Sequence, residues 1–169
     1  MRTLPFQFPL FSLYPGLAFG QPTERFGACR DPRSLTVVSG QSLKPPGWTG
    51  TILIDATGRT WEIQGVSILG TVGSPLQRLW RTIISNQQYE VAFDFVERAP
   101  MPLEEVKARV CASIDDNRDD WRDDEAIAGE AGPPRDEEEM LEELKTAVRN
   151  AGTAHEILEN FEAAIIAQG

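Results

Sequence analysis

The chain of 169 residues is poor in the groups that most enzymes and metal proteins use. It has one histidine, His155, and two cysteines, Cys29 and Cys111, which are far apart and form no CxxC. A histidine-based metal site or a Cys/His pair would need His155 beside a suitable partner, and no sequence neighbour supplies one. The expectation for His155 is an ordinary surface residue in the first turn of a helix. Two scattered thiols do not indicate a disulfide framework, though one bridge between them stays open, and a reducing compartment fits best. No apolar run reaches the ~18 residues that a membrane-spanning helix needs. The glycines between Gly40 and Gly73 form neither a GxGxxG fingerprint nor a phosphate loop with its Lys-Ser/Thr, so they read as turn and bulge residues. No cofactor is expected.

The N-terminal MRTLPFQFPLFSLYPGLAFG is apolar but is cut by Pro5, Pro9 and Pro15. No clean small-x-small cleavage site follows, so residues 1–33 are read as an extended, partly buried lead-in rather than a signal. One domain over 1–169 is expected, with a β-rich part over 34–100 and an acidic helical part over 101–169. The localisation expected is cytoplasmic.

What the sequence does have is negative charge, unevenly placed. The net charge is −10. Residues 1–100 hold nine Lys/Arg and seven Asp/Glu (+2), and residues 101–169 hold seven and nineteen (−12). Such a surface repels nucleic acid. It suits a basic protein partner, because complementary charge steers encounter.

The first half reads as β-structure. LTVVS (35–39) is a short apolar run, and TGTILID (49–55) and RTWEIQGVSIL (59–69) flank Ala56-Thr57-Gly58 as a hairpin. The apolar parity of the second strand changes at Gly65, which marks a bulge. Ser74, Pro75 and Gln77 form a capping pattern for a short helix with Leu76, Leu79, Trp80 and Ile83 on one face. QYEVAFDFVE (88–97) alternates with period two, as a strand with one buried face does.

The second half reads as helix. Leu103, Val106, Val110 and Ile114 recur at helical spacing, with Glu104 and Glu105 in the first turn. Pro133-Pro134 breaks any continuous helix. A second helix begins near Asp136, with Met140, Leu141, Leu144 and Val148 inward, and stops near Gly152. Thr153 and Glu156 make a capping box for a third, with Ile157, Leu158, Phe161 and Ile165 as its apolar face. The fold class expected is α+β: an N-terminal antiparallel sheet with a short helix, and C-terminal helices packed on one face.

Between these helices lies DDNRDDWRDDE, Asp115 to Glu125. As a calcium loop it fails, because Asp120 stands where the turn glycine belongs and Ala126 where the bidentate Glu belongs. If the helix from Leu103 runs on through Glu125, Trp121 falls about 20° from Ile114 and joins the apolar stripe. The aspartates then form the opposite face. Asp is a poor helix former, so the alternative is a helix ending near Asp116 and an acidic loop over 117–139. From Asp115 to Glu143 there are fourteen Asp/Glu and three Arg, more than solubility needs. Self-repulsion costs stability, and a basic target would turn that cost into binding energy. Asp119, Asp120, Asp123, Asp124, Glu137 and Glu138 are therefore the candidate partner-binding residues. The chain carries no recognisable catalytic or metal residues and is expected to be non-enzymatic.

TILIDATGRTWEIQGV, then YEVAFDFVERAPMPLEEVKARV, then AGTAHEILENFEAA, together resemble bacterial immunity proteins of polymorphic toxin systems. The likeness covers roughly 35–165, and its motifs are structural rather than catalytic. It implies a small acidic protein that binds and neutralises a cognate toxin domain, basic and often a nuclease, by occlusion. It carries over no binding residue. The alternative is a structural or adaptor protein of a larger bacterial assembly that uses the acidic segment as a flexible tether.

Overall fold

The computed structural model describes residues 4–18, 21–74, 87–118 and 137–168. Six strands form one antiparallel sheet: β1 (Leu10–Ala18), β2 (Gln21–Cys29), β3 (Val37–Ser39), β4 (Ile52–Ile54), β5 (Thr60–Thr71) and β6 (Gln88–Arg98). Their order across the curled sheet is β2-β1-β4-β5-β6-β3. A 3-10 turn over Pro32–Leu35 precedes β3. Among the described residues three helices follow: α1 (Leu103–Asp116), α2 (Glu137–Arg149) and α3 (Ala154–Gln168). The fold is α+β. The short helix expected after Ser74 lies outside the described residues.

The lead-in needs correcting. Residues 10–29 are not a lead-in but a hairpin, and β1 sits inside the sheet between β2 and β4. Being central, β1 is apolar on both faces. Phe11 and Leu13 enter a core with Ile54 and the three helices, and Leu10 enters a second core on the opposite face. Pro15 and Pro22 are tolerated because alternation turns them out of the β1–β2 ladder, where a missing N–H costs nothing. The carbonyl of Glu24, two residues from Pro22, points the same way and accepts from helix side chains.

The predicted hairpin is present as β4–β5. Asp55 makes it: its carboxylate Oδ1 accepts from Thr57 N at 2.9 Å, Thr57 Oγ1 at 2.6 Å and Arg59 N at 3.1 Å. Gly58 supplies the positive φ of 84° that the turn requires. The register of β5 on β6 shifts at Gly65, as its parity predicts, and again before Gly70.

The helices pack as their periodicity predicts. Val106, Val110 and Ile114 of α1, Leu141, Leu144 and Val148 of α2, and Ile157 and Phe161 of α3 close one core over Phe11 and Leu13. Phe26 bridges the layers, stacked on Phe11 and edge-on to Phe161. The other core is aromatic. Phe6, Trp61, Phe93 and the partly buried Phe95 meet there, mostly edge to face, with Leu35, Val38 and Val91. The capping box of α3 forms with Glu156 N donating to Thr153 Oγ1, while the Glu156 carboxylate reaches back to Gly152 N. No helix among the described residues is long and apolar enough to cross a membrane.

Candidate functional site

Where α1 ends decides the shape of the acidic region. The helix does not run on to Glu125: it stops at Asp116. Two effects stop it. Asp115 and Asp116 place negative charge at the negative end of the helix dipole. Asn117 then leaves helical geometry, and its Nδ2 donates to Ser113 O at 2.7 Å and to Glu24 O at 3.1 Å. These bonds fasten the end of α1 to β2, with Ser113 Oγ on the same carbonyl at 2.7 Å. Arg109 completes the seam through Nε to Glu24 Oε2 at 2.8 Å. The pair with Glu24 raises the Arg109 pKa above its ordinary value.

Beside this seam, α2 carries the carboxylates. Lys145 Nζ lies 3.0 Å from Asp115 Oδ1 and 2.5 Å from Glu142 Oε1, and Arg149 adds a contact to Glu142 at 3.3 Å. The hydrogen bond to Glu142, then that to Asp115, pushes the Lys145 pKa up. The same lysine, then Arg149, pulls the Glu142 carboxyl down. Lys145 is thus engaged between α1 and α2, and Arg149 pairs with Glu142 on the exposed side of α2. Asp116, Glu138, Glu139, Glu142 and Glu143 are exposed around them. From 115 to 118 and 138 to 149 there are six acids and three bases, a surplus of three negative charges.

Of the six sequence-predicted partner residues, Glu137 opens α2 and Glu138 is exposed in its first turn. Asp119, Asp120, Asp123 and Asp124, with Trp121 between them, lie outside the described residues. Glu137 and Glu138 thus stand side by side at the start of α2, and the structure adds Asp116, Glu139, Glu142 and Glu143 to the same acidic region. The helical spacing of Glu138, Glu139, Glu142 and Glu143 opposite Leu141 and Leu144 was a signal for them in the sequence.

A second concavity was not foreseen. On the sheet face away from the helices, Ser12, Tyr14 and Gly27 floor a groove of about 480 Å³ walled by Pro45, Pro46 and Trp48. Only the β1–β2 hairpin brings these segments together, and that hairpin was hidden in the sequence. Cys29 borders it, but burial, the largest influence, pushes its thiol pKa up and away from nucleophilic use.

Asp55 is also not poised for acid–base chemistry. Burial alone would raise its pKa, but the bonds from Thr57 and Arg59 outweigh it and hold the carboxyl below its ordinary value. It is the brace of a turn. His155 sits in the first turn of α3, as expected, and is half-buried. Its Nε2 donates to Pro9 O at 2.8 Å and ties α3 to the segment before β1. Among the described residues no three His, Cys, Asp or Glu side chains are arranged to hold a metal ion. Comparison of the chain with protein-family models, curated proteins and solved structures finds no match.

Proposed function

We propose that this chain is a non-enzymatic binding protein, an immunity protein of the bacterial polymorphic-toxin kind that occludes a basic toxin domain. The observation that supports this reading most is the acidic surface at the end of α1 and along α2. Its cations, Arg118, Lys145 and Arg149, each pair with Asp115 or Glu142, and the carboxylates outnumber them by three. A cationic substrate groove, such as a nuclease uses for phosphates, is complementary to such a surface, and exclusion is then the whole mechanism. The asymmetry between a β-rich half of +2 and a helical half of −12 orients the encounter.

The test is to express any toxin domain that the neighbouring gene encodes and to follow its association with this chain by stopped-flow mixing. Between 0.05 and 0.5 M salt the association rate is expected to fall by about tenfold or more. Glu138→Lys with Glu139→Lys is expected to slow it in low salt. A rate indifferent to salt and to charge reversal would refute acidic steering and favour the adaptor reading.

A further inference from the structure

The two long edges of the sheet are finished differently. On β2 the positions that turn their backbone groups outward include Pro22, which has no N–H, and Glu24, whose carbonyl is taken by Ser113 and Asn117. Proline and a covering helix are the usual means of closing an edge. At the other end, β3 pairs only with Gln88 to Glu90 of β6. Val91 N–H donates to Thr36 O, and Gly40 N–H to Gln87 O. Odd-numbered residues of β6 therefore turn their backbone groups away from β5. Beyond the reach of β3 those are Phe93, Phe95 and Glu97, and their outward N–H and C=O groups have no backbone partner among the described residues. No proline and no extra residue interrupts β6 here, whereas both irregularities of the β5–β6 ladder fall in β5.

We infer that two copies of this chain join edge to edge through β6, antiparallel, with Val96 on the two-fold axis. Register decides the assignment. With the axis at Val96, Phe95 stands opposite Glu97 of the second copy and each pair exchanges both backbone hydrogen bonds. Val96, 41 % exposed, meets its own counterpart across the axis. Asp94 comes opposite Arg98 of the second copy, twice by symmetry, on the same face as Val96. An axis at Phe95 would leave Asp94 against Val96, and axes at Asp94 or Glu97 would oppose like charges. Only the Val96 register matches the charges.

The flanking contacts suit it. Glu97 already holds Arg59 at 2.9 Å, so no uncompensated carboxylate is pressed on Phe95. Arg98 bonds Glu62 at 2.7 Å, and its guanidinium has donors left for a second carboxylate. The interface is isologous and closes on itself, so it makes a dimer rather than a fibre. It does not rest on the toxin-binding reading.

Sedimentation equilibrium on the full chain tests this, with dimer expected at roughly 10–100 µM. Asp94→Arg and Arg98→Asp each put like charges opposite one another at both ends and are each expected to weaken dimerisation by about tenfold or more. Mixed together, the two variants match again and should form the heterodimer. The double variant in one chain should dimerise like the parent. Val96→Lys, which leaves the charge sites intact, should also dissociate the dimer while circular dichroism shows the native fold. A parent chain that stays monomeric, single reversals that dimerise normally, or a mixture that fails to recombine would each overturn the inference.

Discussion

The two faces of β1 are built from different materials. Toward the helices, Phe11 and Leu13 meet regular elements whose apolar residues recur every three or four positions. Toward the other side, Leu10 and Ser12 meet the segment before β1, the loop over 41–48 and aromatic rings from β5 and β6. The helical face is sealed by repetition. The other is sealed by single contacts such as Phe6 against Trp61 and Phe95, and it leaves the groove at Tyr14 and Trp48. Stability is thus expected to concentrate on the helical face and tolerance to change on the other.

The sharpest break in that contrast is Phe11→Ala. The ring is fully buried in the core to which all three helices contribute, and its loss is expected to cost about 3–5 kcal/mol in urea unfolding. Next comes the seam between α1 and β2. Ser113→Ala and Asn117→Ala leave the Glu24 carbonyl short of donors, each at about 1–3 kcal/mol in the same measurement. Asp55→Ala strips the β4–β5 turn of its acceptor and is expected to cost about 1–2 kcal/mol.

Asp55 also gives that turn a pH signature. Its folded pKa is lowered, so its contribution is present above the unfolded carboxyl range and fades as pH falls toward the folded value. Asp55→Asn should therefore flatten the acid limb of a stability-against-pH curve and leave the neutral region less affected. The smallest expected change is Glu138→Lys with Glu139→Lys. Exposed on α2, the pair should shift stability by no more than about 0.5 kcal/mol, while toxin association slows.

The same contrast explains what could be read in the sequence. The helix faces, the Gly65 bulge, the Asp55–Gly58 hairpin and the Thr153 cap each depend on residues close in the chain, and each is where its local pattern puts it. β1 was hidden because a strand buried on both faces shows no alternation, and both β1 and β2 because Pro15 and Pro22 read as breakers when only their orientation makes them harmless. The end of α1 was ambiguous because helical spacing favoured Trp121 as an extension of the stripe. The deciding contact, Asn117 to Glu24, joins residues 93 positions apart. The acidic character of the candidate surface was plain in composition. The pairing of Lys145 with Asp115, which removes that cation from the surface, needs two helices side by side.

The seam at Glu24 has a consequence in time. Arg109 and Glu24 are 85 positions apart, and Arg30 and Glu162, which also pair, are 132 apart. During synthesis the first hairpin leaves the ribosome long before anything that covers it. Phe11, Leu13 and Phe26 must wait for α1 to α3 before their side of the sheet is dry. A chain with such distant closures folds slowly for its size and is most open to aggregation while its last third is still being made.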